Sequence, residues 1–347
     1  MHGVVPTRYG WALMGRSSLS RSGLVAGPEA DQTLLRLLEP VALRAVSPAA
    51  MAAARWSGRG DGKAADAAAT DAMRAALEQE EAVGTVVTGE GEKDDAPMLA
   101  PDEQLGGHGP PYDIAVDPLE CTSHCAAGLP GALTTISVAA RGAMRSPGPA
   151  FYMDKLVVGP AARHVLDIER GPVENARRIA QALDVPLSEL RVVVLDKPRH
   201  ADLIGDLRAA GARVMTPSAG DVAGAVAAVL DDGGADVLMG VGGTPEGIMT
   251  ACAVRALGGG MQARLAPQLE DEAAELAAAD VDVAAVLELD DLISGPALFA
   301  AAGVTGGELL PAPQAHPDGL HVHTLVVTAG AARRAVVTLP LPGPPEN

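Results

Sequence analysis

Five carboxylates spread over four segments of this chain have the character of a hard metal centre. Asp117 and Glu120 stand in Asp113-Ile114-Ala115-Val116-Asp117-Pro118-Leu119-Glu120-Cys121-Thr122, where an alternating strand pattern stops at Asp-Pro. A strand that ends there holds Asp117 on a rigid rim, and the turn brings Glu120 and Thr122 back toward the same point. Asp66, Glu90 and Glu246 are the other candidates. Without a cysteine cluster, oxygen ligands converging from several loops suit Mg²⁺ or Mn²⁺. Two such ions roughly 4 Å apart can bind a phosphoryl oxygen, activate water and stabilise the leaving alkoxide. Thr122 could hydrogen-bond that water or the phosphate, helped by backbone N–H groups if a helix begins there.

The elements around these residues follow from periodicity. Leu34, Leu35, Leu37, Leu38, Val41 and Leu43 mark a helix over residues 31–56, followed by the loop Ser57-Gly58-Arg59-Gly60-Asp61-Gly62-Lys63. A second helix is expected to run to about Glu81, with Asp66, Thr70, Met73 and Leu77 on one stripe. A carboxylate on that stripe needs a partner or a metal, although the dipole of a helix N-terminus also favours an acid there. A strand over residues 85–88 runs into Gly89-Glu90-Gly91-Glu92-Lys93-Asp94-Asp95. Charged loops are usually just solvated, but this one and the Asp117 turn both follow strands and could face one cavity.

The second half repeats strand, polar loop and helix. Residues 191–195 lead into Asp196-Lys197-Pro198-Arg199-His200, 214–215 into 216–221, and 236–239 into Gly240-Val241-Gly242-Gly243-Thr244-Pro245-Glu246-Gly247. This succession indicates a mostly parallel α/β lobe with ligands beyond the carboxyl ends of its strands, placing Lys197, Arg199, Gly243 and Glu246 on one rim. Two more strands are expected over 321–328 and 334–339; His321 and His323 share a face of the first and could bind metal, although such pairs are more often surface or core features. The expected organisation is a disordered extension over 1–30, an α+β lobe over 31–160, an α/β lobe over 161–340 and a tail over 341–347. A transit peptide is an alternative reading of the acid-free first 28 residues.

Composition narrows the function. Aromatic residues make up only 2% of the chain, so Ala, Val and Leu must fill the interior. A net charge of −18 argues against non-specific nucleic-acid binding and against an anionic membrane surface. No apolar run reaches the ~18 residues of a membrane span. Three cysteines, Cys121, Cys125 and Cys252, imply no disulfide framework and point to the cytoplasm. Against twenty-two arginines the chain keeps only Lys63, Lys93, Lys155 and Lys197; codon bias or chance placement can account for this, and the four are candidate positions for a compact point charge that Arg cannot mimic.

Competing motifs fail. Gly242 and Gly247 have the outer spacing of a P-loop, but Ile248-Met249 stands where Lys and Ser or Thr are needed. Pro245 occupies the third glycine position of a dinucleotide fingerprint. Cys121, His124 and Cys125 resemble a zinc half-site without a second half.

From about Trp56 to Leu310 the chain resembles the class II fructose-1,6-bisphosphatases, metal-dependent sugar phosphatases of the inositol-monophosphatase-like, layered αβαβα fold. The resemblance rests on Gly58-Arg59-Gly60-Asp61, the run from Gly89 to Leu99, Asp113 to Thr122, Phe151-Tyr152-Met153-Asp154-Lys155-Leu156, Lys197 to His200 and Gly242 to Gly247. It implies Asp66 and Glu90 at one metal and Asp117, Glu120 and Glu246 at a second, with Thr122, Glu90 and Asp94 in catalysis. Glu120, Cys121, Thr122, Tyr152, Lys197, Pro198, Arg199, Ala219, Gly220, Asp221 and Gly243 would bind the sugar bisphosphate. The implied reaction removes the 1-phosphate of fructose 1,6-bisphosphate in gluconeogenesis, with Mg²⁺ or Mn²⁺, in a homo-oligomer (dimer or tetramer).

The chain also departs from that pattern. Gly62 stands where the family has Lys, Cys121 where it has Gly, and Ala219 where it has Asp; Ala301-Ala302-Gly303 replaces Ala-Thr-Gly. Retained ligands with an altered substrate shell favour a phosphatase, with another sugar bisphosphate such as sedoheptulose 1,7-bisphosphate, or a non-catalytic sugar-phosphate-binding paralogue, as alternatives.

Overall fold

The structure is a computed structural model and describes residues 8–9, 28–89, 92–93, 96–97 and 99–341. In chain order the first elements are β1 (Arg8–Tyr9), α1 (Pro28–Ala54), α2 (Gly62–Glu78), β2 (Val83–Thr88), β3 (Glu92–Lys93), β4 (Ala96–Pro97), β5 (Gln104–Gly106), β6 (Pro111–Glu120), α3 (Thr122–Ala127) and β7 (Leu133–Ala140). Then come β8 (Tyr152–Val158), α4 (Pro172–Ala182), β9 (Arg191–Val193), α5 (Ala201–Ala210), β10 (Arg213–Met215), α6 (Asp221–Val229), β11 (Val237–Gly243) and α7 (Thr244–Leu257). The last are β12 (Gly260–Leu265), α8 (Glu270–Ala278), β13 (Leu287–Glu288), α9 (Leu289–Leu292), β14 (Ala297–Gly303), β15 (Gln314–His316), β16 (Gly319–Thr328) and β17 (Ala331–Leu339).

Two mixed sheets organise these elements. The first has the order β1-β17-β16-β14-β7-β6-β2-β5, with β15 paired to β16, and the second β10-β9-β11-β8-β12-β13. Strand parity explains how both are covered on two faces. On β14, Leu298, Ala300 and Ala302 pack with α1 and α2, while Phe299 and Ala301 pack with α6 and α7. On the second sheet Met153, Val157 and Leu238 face that same middle helical layer, and Leu156, Val158 and Met239 pack with α4 and α5. The layers therefore run α, β, α, β, α, as expected of the α/β class. The near-continuous apolar strands reflect burial on both faces.

Several expectations change in detail. The sheets do not follow a cut at residue 160: β8 belongs to the second sheet, while β14, β16 and β17 return to the first. The second sheet is less parallel than expected. β10, β9 and β11 are parallel, but β8 runs antiparallel to both β11 and β12. That reversal places Tyr152, the first residue of β8, opposite Gly243, the last residue of β11. Arg8 and Tyr9 pair with Val336 and Val337, and α1 begins at Pro28, a residue preorganised for a helical first turn. The rest of the extension and residues 342–347 lie outside the described residues.

Helix α1 also corrects the membrane reading. By length and composition its Thr33–Ala54 stretch is apolar enough to cross a bilayer, yet 56% of the window is buried within the fold. Leu38, Val41, Ala45, Val46 and Ala49 are packed into the first core, so its hydrophobicity is that of a central core helix.

Candidate active site

Asp117 and Glu120 converge because β6 is irregular between them. In a regular strand residues three apart point to opposite faces. Asp117 lies opposite Thr135 but Glu120 opposite Leu133, so β6 carries one residue more than β7 across that interval. Pro118, which has no N–H for the ladder, sits in the bulge, and the Leu119 N–H turns back to Asp117 Oδ1 at 3.0 Å. The extra residue resets parity. Asp117, Glu120 and Glu246, the last from the first turn of α7, then offer carboxylate oxygens that all lie within 4.8 Å of one another.

Three carboxylates this close repel unless protonated or bridged by a cation. Burial, then the Glu120 charge, raises the Glu246 carboxyl to about 7. Burial likewise raises that of Glu120, against the hydrogen bond it shares with Asp117. Glu246 Oε2 is enclosed and makes no hydrogen bond among the described residues, while Glu120 Oε1 accepts one from the Val222 N–H at 3.2 Å. An unpartnered buried oxygen on a member of an all-carboxylate cluster fits a hard divalent cation.

The glycines of the Gly242-Gly243 pair serve these side chains. A Cβ on Gly243 would meet Glu246 Oε2 at 1.7 Å, and one on Gly242 would meet Asp221 Oδ2 at 2.0 Å and Lys155 Nζ at 2.9 Å. Lys155, 1% exposed, points from β8 into the middle layer between Met153 and Val157. It donates to Asp221 and, at 2.9 Å, to the Gly243 carbonyl. A buried cation thus stands beside the carboxylates and offsets their charge.

Asp66 is buried on the inner stripe of α2, as its spacing from Thr70, Met73 and Leu77 predicts. Gly62, one turn earlier on that face, abuts Thr122: a Cβ there would lie 3.1 Å from Thr122 Cγ2. Asp66 is not one of the three clustered carboxylates, and Glu90 and Asp94 lie outside the described residues. A helix does begin at Thr122. Its hydroxyl donates to the Leu119 carbonyl at 2.8 Å, which leaves the oxygen lone pairs free to accept a hydrogen bond.

Cys121 adopts φ +64° and ψ +46°, a left-handed conformation that glycine tolerates better than cysteine. Burial, followed by the charges of Glu120, Asp117 and Asp221, pushes its thiol well above the usual range, so it is a packing group rather than a nucleophile. Cys121→Ala keeps the strained backbone and loses the buried sulfur, whereas Cys121→Gly relieves the strain. Cys121→Gly should therefore be more stable than Cys121→Ala by about 1 kcal/mol in urea unfolding. Equal midpoints would show that the loop carries no such strain.

The expected rim forms at the ends of β9 and β11. The Arg199 guanidinium lies 5.3 Å from the Tyr152 ring centroid and donates to the Val241 carbonyl at 2.8 and 3.1 Å. Lys197 is half-buried and close enough for its charge to act on Cys121. Pro198 opens the short turn that ends in buried His200, which pins the loop to β11: Nδ1 bonds the Leu195 carbonyl at 2.8 Å and Nε2 accepts from the Val241 N–H at 2.8 Å. Ala219 and Gly220 line a cavity of about 580 Å³ beside Cys121 and His124. Asp221 is held by Lys155 rather than open to solvent.

Sequence reasoning missed two supports. Glu272 is fully buried and accepts from the Phe151 and Tyr152 N–H groups at 2.7 and 2.9 Å, which fixes the start of β8. His124 bonds the Pro130 carbonyl at 2.9 Å and Ser218 Oγ at 2.8 Å, linking α3 to the 216–221 loop. That bonding also removes the zinc reading, since Cys125 Sγ instead meets the Ala53 carbonyl and the three residues form no metal cluster. Asp113, in the same motif as Asp117, is structural; it holds Arg141 and the N–H groups of Gly142 and Met144.

Comparison with known proteins identifies the family. The family model described as bacterial fructose-1,6-bisphosphatase, glpX-encoded, matches residues 36–338, further in both directions than the six motifs reach. The chain is 41% identical over 282 residues to a fructose-1,6-bisphosphatase 1 class 2 of Escherichia coli K12, covering 77% of this chain and 84% of that protein. The class 2 fructose-1,6-bisphosphatase of Shigella flexneri matches with the same identity and the same coverage. This extent of similarity, in a chain that carries a carboxylate cluster on a bulged strand end, places it in the bacterial, glpX-encoded fructose-1,6-bisphosphatase family.

Proposed function

We infer that the protein is a phosphoric monoester hydrolase that removes the 1-phosphate of fructose 1,6-bisphosphate. Family membership supports the reaction and substrate, and the unpartnered Glu246 oxygen beside Asp117 and Glu120 supports a metal-dependent route. Asp117, Glu120 and Glu246 would hold one Mg²⁺ or Mn²⁺, with Asp66 and Glu90 serving a second. Such ions, when bound, polarise the phosphoryl oxygens and lower the pKa of water.

The chain's own groups then have separable tasks. The Thr122 hydroxyl donates its hydrogen bond to the Leu119 carbonyl, so its oxygen is left to accept one from a water and to aim that water's lone pair at phosphorus. Lys197 and Arg199 bring positive charge to a phosphate, and Tyr152 is held in place by the Arg199 stack and the Glu272 anchor. Pro198, Ala219, Gly220 and the Gly243 backbone shape the sugar side, with Asp221 and Cys121 at its floor. We further place the protein in the cytoplasm, as a homo-oligomer working in the gluconeogenic direction.

Phosphate release from fructose 1,6-bisphosphate in Mn²⁺ or Mg²⁺, abolished by chelator, is the expected result; no release with either ion would overturn the assignment. Thr122→Ala should lower kcat by about 10²-fold and change KM little, as for a group acting in the transition state. A rise in KM that accounts for the whole loss would make Thr122 a substrate anchor only.

A further inference from the structure

We propose that His316, Asp318 and His321 form a surface site for a zinc-class transition-metal ion, chemically distinct from the carboxylate centre. The sequence suggests pairing His321 with His323, which share a strand face. The structure pairs His321 across the hairpin instead. Strands β15 and β16 are antiparallel, with His316 opposite Gly319 and only Pro317-Asp318 between them, so the turn brings His316 alongside His321. Asp318 Oδ1 lies 2.5 Å from His316 Nδ1 and 2.8 Å from His321 Nε2. The two rings stack with centroids 4.2 Å apart at 20°. One ligand atom from each residue falls within 4.8 Å of the others. His323 is excluded: its ring is partly buried and Nε2 is enclosed with no hydrogen-bond partner among the described residues.

Two imidazole nitrogens and one carboxylate oxygen select Zn²⁺, Co²⁺ or Ni²⁺ over Mg²⁺ and Mn²⁺, which the all-oxygen centre prefers. In the metal-free form one carboxylate oxygen can accept both ring N–H groups. Metal binding would turn the stacked rings so that both lone pairs meet at one ion, with each displaced ring proton moving to the other ring nitrogen or to solvent. Little ordering is required, because the turn and the strand pairing already hold all three residues together. Three protein ligands leave a fourth tetrahedral position open to water. The consequence is a clip on β15, a strand of three exposed residues that, among the described residues, pairs only with β16.

Zn²⁺ titration calorimetry on the full-length protein, with Mg²⁺ in excess to fill the carboxylate centre, tests this. One Zn²⁺ per chain is expected, with affinity reduced by about 10-fold or more in His316→Ala and in His321→Ala. Glu246→Gln should leave that binding unchanged, and phosphate release by the Mg²⁺-loaded histidine variants should match the parent. Substituting Co²⁺ should give the intense visible bands of a four-coordinate ion, lost in His321→Ala. Failure of the parent to bind Zn²⁺, or unchanged binding in the combined His316→Ala/His321→Ala variant, would overturn the site. Because the readout is Zn²⁺ stoichiometry at residues remote in sequence from the carboxylates, it stands whether or not the sugar phosphate is correctly named.

Discussion

Glu246→Gln should abolish most metal-dependent phosphate release, by about 10²-fold or more, while making the metal-free protein more resistant to heat at pH 8. Both effects come from one carboxyl, raised from an ordinary 4.5 to about 7 by burial and by Glu120. The folded protein holds that proton more tightly than the unfolded chain does. As pH rises from about 4.5 to 7 the unfolded chain gives its proton up first, so stability falls across that window and stays low above it. Glutamine removes the charge and with it the fall. Thermal unfolding in chelator from pH 4.5 to 8 should therefore show a decline in the parent and a flatter profile in Glu246→Gln. Excess Mg²⁺ should restore the parent and leave the variant unmoved. A variant that loses activity but keeps the parent's pH profile would separate catalysis from carboxylate strain and sink this account.

What the sequence revealed of this site was mostly local. Asp117, Glu120 and Thr122 could be read together because they lie within six residues of one strand end, although β6 does not stop at Asp-Pro as expected but runs on through a bulge at Pro118 to Glu120. The rim of Lys197, Arg199 and Gly243 was legible for a different reason: ligands of an α/β lobe gather beyond strand ends whatever the side chains. The parity argument was not. Only the pairing with β7 shows that a bulge brings Asp117 and Glu120 to one face. Gly242 and Gly243 had no distinguishing signal either, since a Gly pair before a helix reads as a phosphate loop until Asp221, Lys155 and Glu246 are seen lying over it. Glu272 was hidden among three consecutive acids at a helix start, where charge pattern alone cannot say which one turns inward. The return of residues 297–303 to the first sheet was not legible, because strand pairing between residues 133 and 303 is a long-range event that no local window reports.

Lys155 is the residue whose loss should be felt most widely. The scarcity of lysine marked it, but its partner could only come from the folded chain. Lys155→Met leaves the carboxylates of Asp221, Glu120 and Glu246 together with no buried cation, and the metal-free protein should lose about 3–5 kcal/mol in urea unfolding. Asp221→Asn alone should also destabilise, by leaving the ammonium with a weaker partner. The double variant Lys155→Met/Asp221→Asn should lose less than the two single losses combined, because the pair fails as a unit. Lys155→Arg should not rescue the fold: Lys155 Nζ lies so close over Gly242 that even a Cβ there would meet it at 2.9 Å, and a planar guanidinium is bulkier than the compact ammonium that fits. Phosphate release should fall in Lys155→Met even where the protein stays folded, since Lys155 also fixes the Gly243 carbonyl from which α7 and Glu246 begin. Additive single and double losses would mean that Lys155 and Asp221 are held by the fold independently and that the buried cation does not organise the centre.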